Sequence, residues 1–229
     1  MTSLLDKIRS RGYWWFVIRP SPFQEKRVNY DDLLPIVRKA TVDIGGWDIP
    51  FIDDKTEIHR DVEWLGQESE WSEYLEIWRI YQSGQFLDIF GMQEDWRDQS
   101  HWSKPQEGWR PGFHLSVVQT VIRITGIFEL AARLSLTEAG DESVHIEVIL
   151  RGLQGRQLVM DDPRRWWSPS RVRKATILEF PYRVELPRTD LIANPAELAL
   201  TPTLELFRRF GWDTQADILR DIQVKAGRR

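Results

Sequence analysis

Residues 116–138 constrain the fold more than any other stretch of the chain. Val117, Val118, Val121, Ile122, Ile124, Ile127, Phe128, Ala131, Leu134 and Leu136, wound at 3.6 residues per turn, cover much of a helix circumference. A helix that is apolar on nearly every side has to be enclosed, so the other elements must form layers around it. Gln119, Thr120, Arg123, Glu129 and Arg133 interrupt the run, which is too polar a pattern for a membrane span.

The flanking segments read mostly as strands. YWWFVIRP, 13–20, is a strand preceded by a short helix over 3–11, capped by Thr2 or Ser3 and stopped at Gly12. Asp31 and Asp32 open a helix through Leu33, Leu34, Ile36 and Val37, with Pro35 in its first turn. TVDIGGWDIPFI reads as two short strands about Gly45-Gly46. LEIWRIYQSGQFLDIFGM, 75–92, is a hairpin in which a two-residue Ser83-Gly84 turn would place Arg79 opposite Asp88 and Trp78 opposite Ile89. Such cross-strand pairs contribute ~0.2–1 kcal/mol each. That register sends Trp78, Ile80, Leu87 and Ile89 to the core and leaves Ile77, Arg79, Tyr81, Phe86, Asp88 and Phe90 on a mixed second face. Residues 143–160 read as a second hairpin turning near Gly152 and Gly155, and 175–186 as a further strand. Beyond 189 the chain reads helical, with Asn194-Pro195 and Thr201-Pro202 as cap-proline starts, Gly211 as a stop and a last helix from Asp213 or Thr214.

The fold expected is therefore α+β: a largely antiparallel sheet built from hairpins, packed on the central helix, with C-terminal helices. Residues 1–188 form the α+β core domain and 189–229 a helical appendage packed on it. A chain of 229 residues that is 41% hydrophobic can bury such a core. It contains no cysteine, which removes disulfides and thiolate chemistry. The N-terminal MTSLLDKIRSRG has no signal-peptide apolar region, so a cytoplasmic protein is expected. The net charge of −4 argues against nucleic-acid binding by bulk charge, while leaving room for a local basic face.

Chemical motifs are weak throughout. EIHRDVEW, 57–64, puts His59, Asp61 and Glu63 on one face of a strand, which is metal-ligand spacing and equally the pattern of a strand with one face in water. Asp43 followed by Asp53-x-Lys55 resembles, over a short stretch, the restriction-endonuclease-like arrangement. The resemblance implies carboxylates holding Mg²⁺ and a lysine stabilising phosphate charge. The sequence departs from it in lacking a proline before Asp43, in having aspartate before the lysine, and in the Gly45-Gly46 break. No hydrolase elbow, P-loop or dinucleotide fingerprint is present, and no cofactor is implied.

Two tryptophan-rich segments remain. PRRWWSPSRVRK, 163–174, has Arg164, Arg165, Arg171, Arg173 and Lys174 around Trp166 and Trp167, with no acid. Guanidinium groups attract phosphates, and indoles offer stacking faces to unpaired bases. EDWRDQSHWSKPQEGW, 94–109, places Trp96, Trp102 and Trp109 in a connection too long and too aromatic to be disordered, so they are expected to staple it to the body and to offer a binding floor. Tryptophan and arginine dominate interface hot spots, and the chain has 12 tryptophans. The function expected is a non-catalytic binding or assembly component that recognises a partner protein through these Trp/Arg-rich loops. One alternative is a nucleic-acid binder using 163–174, as in a multi-component bacterial system handling foreign nucleic acid. A second alternative is the Mg²⁺-dependent nuclease. No membrane partner is expected, and no oligomeric state is specified.

Overall fold

Strand β1 (Tyr13–Ser21) is an inner strand of the sheet, paired along its whole length with one neighbour and over Tyr13–Ile18 with the other. The computed structural model describes residues 2–101, 109–160 and 172–227. β1 follows helix α1 (Leu4–Arg9), whose cap Ser3 accepts the amide of Asp6. Helix α2 (Leu33–Ala40) comes next, entered through a 3-10 turn with Pro35 in its first turn, and then the small β2 (Val42–Ile44) and β3 (Trp47–Ile49) hairpin. Strands β4 (Ile58–Arg60), β5 (Trp64–Trp71), β6 (Tyr74–Tyr81) and β7 (Phe86–Gly91) lead to β8 (His114–Ser116) and the central helix α3 (Val117–Ser135). β9 (Ser143–Arg151), β10 (Gln157–Val159) and β11 (Glu179–Pro187) precede helices α4 (Arg188–Ala193), α5 (Pro195–Leu198), α6 (Leu200–Arg208) and α7 (Ala216–Ala226). Seven strands form one antiparallel sheet in the order β11-β9-β1-β7-β6-β5-β4. The protein is α+β, with an antiparallel sheet and C-terminal helices around a central helix.

Only four of the 19 residues of α3 escape burial, as its all-round apolar surface requires. Trp14, Phe16, Ile18, Phe86, Phe90, Ile146 and Val148 rise from the sheet into the same core. Leu191, Leu206, Phe207, Leu219 and Ile222 enter that core from the C-terminal helices, four of which pack on α3. Ser116 caps α3 by accepting the amide of Gln119. Gly126 lets the β2–β3 hairpin lie against the helix, since a Cβ there would fall 2.3 Å from Ile49 Cδ1.

Four local expectations are corrected. The β6–β7 connection has three residues, closed by Gly84 N to Tyr81 O and by Tyr81 N to Gln85 O, with Gly84 at φ +83°. Trp78 therefore faces Asp88 and Ile80 faces Phe86. One residue of slip turns β7 over, so Phe86, Asp88 and Phe90 point to the core, and Leu87 and Ile89 to the other face. Residues 143–160 are not a hairpin. Both long edges of β9 are occupied by β1 and β11, and β10 pairs in parallel with β8. The strand at 57–64 ends at Arg60, beyond which Asp61 N bonds Trp64 O in a tight turn. Helix α6 begins at Leu200, so Thr201-Pro202 lies in its first turn rather than capping it.

The turn geometry gives a direct check. Gly84→Ala places a Cβ 2.7 Å from the Ala139 carbonyl oxygen in a left-handed backbone. It should lower stability by more than about 1 kcal/mol in urea unfolding.

Candidate interaction surface

The tryptophan-rich connection after β7 is held by buried charge. Asp95 accepts the amides of Gly12 and Gly112, each at 2.8 Å, and both terminal nitrogens of Arg156, one of them at 2.7 Å. Arg156 is wholly buried and also donates to the Gly152 carbonyl at 2.6 Å and the His114 carbonyl at 2.8 Å. The pair ties together the start of β1, the 93–99 turns, β8 and the loop after β9. That tie is why the chain beyond Gly152 runs to β8 instead of folding back on β9. Glu94 accepts the Ser116 amide at 2.7 Å, while burial pushes its carboxyl above the usual carboxylate range.

The tryptophans in this connection are anchors. Trp96 is buried against Gly91, with the Arg11 guanidinium 4.1 Å from its ring centroid and the Lys7 ammonium at 5.3 Å. Trp109 is half-buried and donates its indole N–H to the Glu94 carbonyl at 2.9 Å. Trp102, Arg164, Arg165, Trp166, Trp167 and Arg171 lie outside the described residues. Of the basic segment, Arg173 lies 5.8 Å from the Trp212 ring centroid and passes its carbonyl to Leu158, and exposed Lys174 bridges to Gln157. Its described end is thus woven into the body beside β10.

The register of β6 and β7 creates an unanticipated interior cluster. Tyr74, Glu76 and Asp88 stand on the core face of the sheet beneath Arg123 of α3, and all four are buried. Glu76 accepts the Tyr74 hydroxyl at 2.5 Å and the Phe51 amide at 3.1 Å. Neither Asp88 oxygen has a donor in good hydrogen-bonding geometry, and its carboxyl meets that of Glu76. Two buried carboxyl groups can bond to one another only if one keeps its proton. Arg123, 5.1 Å from the Phe90 ring centroid, supplies the one positive charge that the remaining carboxylate balances. Burial and the neighbouring Glu76 raise Asp88 well above its ordinary value, and burial raises Glu76 less. The cavity that Arg123 lines with Gln119 and Glu94 holds about 10 Å³, room for one water and no substrate.

The opposite face of the sheet is open where α1 does not cover it. The pairings define successive cross-sheet rows: Glu179, Arg151, Tyr13, Gly91 and Leu75; then Pro181, Ile149, Trp15, Ile89 and Ile77; then Arg183, Glu147, Val17, Leu87 and Arg79. Helix α1 sits on the Leu75, Ile77 and Ile89 end, where Ile8 and Trp96 complete a second small core. Between its last turn and β9 lies an open cleft of about 460 Å³, lined by Arg9, Tyr13, Trp15, Ile89, Ile149 and Arg151. A smaller cleft of about 250 Å³ lies further along, at His59, Arg60, Trp64 and Arg79, with the Arg79 guanidinium 4.2 Å from the Trp64 centroid.

The first cleft carries none of the residues singled out from sequence, yet its signal was there. In YWWFVIRP, Trp14 and Phe16 suffice for a buried face, so Tyr13 and Trp15 at the other parity announce a second apolar face.

The carboxylate candidates do not converge. Asp53 is engaged in its own turn, accepting the Lys55 amide at 2.9 Å and the Thr56 hydroxyl at 2.8 Å, bonds that hold its carboxyl below the usual range. Asp43 sits across the β2–β3 hairpin from Asp48, outside the main sheet. His59 belongs to β4, whereas Asp61 and Glu63 lie in the turn after it, Asp61 accepting the Val62 amide at 2.7 Å. Among the described residues no group of three or more His, Asp or Glu could hold a metal ion, and no helix is long and apolar enough to cross a membrane. Comparison with known protein families, with curated proteins and with solved structures returned no match.

Two outcomes follow from the buried charges. Arg156→Met leaves Asp95 buried without its counter-charge and should cost about 3–5 kcal/mol. In a double-mutant cycle with Asp95→Asn the double variant should cost less than the sum of the two single substitutions, because the second removes the stranded charge. Burial and the neighbouring Glu76 hold the Asp88 carboxyl well above the ordinary carboxylate range, so the folded state binds a proton that the unfolded chain releases. The contribution of Asp88 to stability is therefore lost as pH rises from the ordinary carboxylate range through the raised folded value. Asp88→Asn should flatten the wild-type decline in denaturant midpoint over that rise in pH; parallel pH profiles for the two proteins would refute the raised carboxyl.

Proposed function

We propose that the protein is a binding or assembly component without catalysis of its own, and that it recognises a partner protein through the uncovered face of its sheet. The observation that carries this reading is Trp15, a partly buried indole on an inner strand of a seven-stranded sheet, flanked by Tyr13, Ile89 and Ile149 and lining a cleft of about 460 Å³. Interfaces are built from such aromatic and aliphatic cores with arginine at the margin. On this reading Trp/Arg recognition is carried by β1 and β9 in place of the loop that holds Trp96 and Trp109.

Charge supports a protein in preference to nucleic acid. Acidic side chains stand among the arginines of this face, Glu147 at 2.6 Å from Arg183 and Glu179 at 3.2 Å from Arg151. A nucleic-acid track needs cations free to displace counterions along a backbone. The nuclease reading gains nothing from the geometry of Asp43, Asp53 and Lys55 described above.

Affinity purification of the tagged protein from its native cells, with half of the lysate treated with nuclease, checks the reading. A stoichiometric protein partner should survive nuclease and be lost from Trp15→Ala. Nucleic acid co-purifying with no such partner would sink the proposal.

A further inference from the structure

We infer that the cleft between α1 and β9 receives an acidic segment of the partner protein carrying an aromatic or large apolar anchor, an inference that rests on the partner-protein reading above. The cleft, about 460 Å³, lies in the range of pockets that enclose a single ligand group. Its floor is the partly buried Tyr13 and Trp15 rings set over the buried Ile89 and Ile149, an aromatic surface with a polar tip on each ring. Among the described residues both charged side chains of its wall are arginines, with Glu179 beside Arg151. On a chain of net charge −4 this is a local reversal of sign, the arrangement that steers a complementary anion to one spot.

The two arginines are available for that use. Arg9, in the last turn of α1, is exposed and makes no ion pair among the described residues. Arg151 holds Glu179 at 3.2 Å with both side chains about half exposed, a solvent-screened contact that leaves other guanidinium donors open. A carboxylate on either side of a seated aromatic ring would reach one arginine each.

The probe is a fluorescein-labelled nonapeptide with one phenylalanine centred among glutamates. Its binding by anisotropy at low salt is compared with that of a lysine counterpart, an alanine-centred counterpart and a labelled oligothymidylate. The acidic phenylalanine peptide should bind at least about tenfold more tightly than each of the other three. Arg9→Glu combined with Arg151→Glu should weaken it by about tenfold or more, as should Trp15→Ala, with circular-dichroism melting close to wild type. Arg9→Ala with Arg151→Ala replaces the charge reversal if that variant melts early.

No binding of the acidic peptide, equal binding of the basic one, an unchanged affinity in the arginine variants, or tighter binding of the oligothymidylate would each overturn the inference. The affinity purification separates the two readings. A partner retained by the double-arginine variant but lost from Trp15→Ala leaves the protein-binding reading standing and overturns the acidic anchor. A partner lost from both variants supports the anchor, and no partner on the wild type overturns both.

Discussion

The all-round burial of α3 is the constraint on which the rest of the structure depends. A helix apolar on every side cannot be satisfied by a sheet alone, because a sheet covers one stripe of it. The seven-stranded sheet takes the lower side, and α2, the β2–β3 hairpin and the four C-terminal helices take the rest. The C-terminal segment is therefore a wall of the same core, contributing Leu191, Phe207, Leu219 and Ile222 to it. With its one inner face committed to α3, the sheet has only its outer face left for anything else.

Charge inside the molecule plays two different parts. Asp95 and Arg156 satisfy one another, and Asp95 also accepts from the Gly12 and Gly112 amides while Arg156 donates to the Gly152 and His114 carbonyls. Such a pair contributes little net free energy against a hydrophobic replacement, but it tolerates only one spatial arrangement of the loops that reach it. In the Tyr74, Glu76, Asp88 and Arg123 set, burial and the neighbouring Glu76 push the Asp88 carboxyl well above its ordinary range, and burial raises Glu76 as well. One charged set pins the connections at the sheet end, and the other sits between sheet and helix. Together they leave the outer face with apolar rings and surface arginines as its main chemistry.

The outer face also makes sense of the tryptophan content. Trp14, Trp78 and Trp96 are buried and structural, while Trp15 is the indole turned toward the cleft. A single strand supplies both kinds, because consecutive side chains of β1 point to opposite faces. The proposed recognition surface is thus carried on rigid, centrally paired strands. A surface so held needs little ordering on binding, which favours affinity.

Element type was largely legible in the sequence, since it rests on local signals. The Ser3 cap, Pro35 in a first turn and the Gly211 stop each act within a few residues of themselves. The enclosure of α3, and with it an α+β layering, also followed from apolar periodicity alone. What only the tertiary structure decided was pairing and register. A three-residue rather than two-residue turn at Gly84 is a difference of one hydrogen bond, yet it sent Asp88 into the core beside Glu76 and Leu87 to the outer face. The partners of β9 were decided in the same way by β1, β11 and the distant Asp95–Arg156 tie, 61 residues apart in the chain. The cleft follows from these choices: Arg9, Trp15 and Arg151 meet only because a helix, a central strand and its neighbour are stacked in that register, and no local pattern encodes such a meeting.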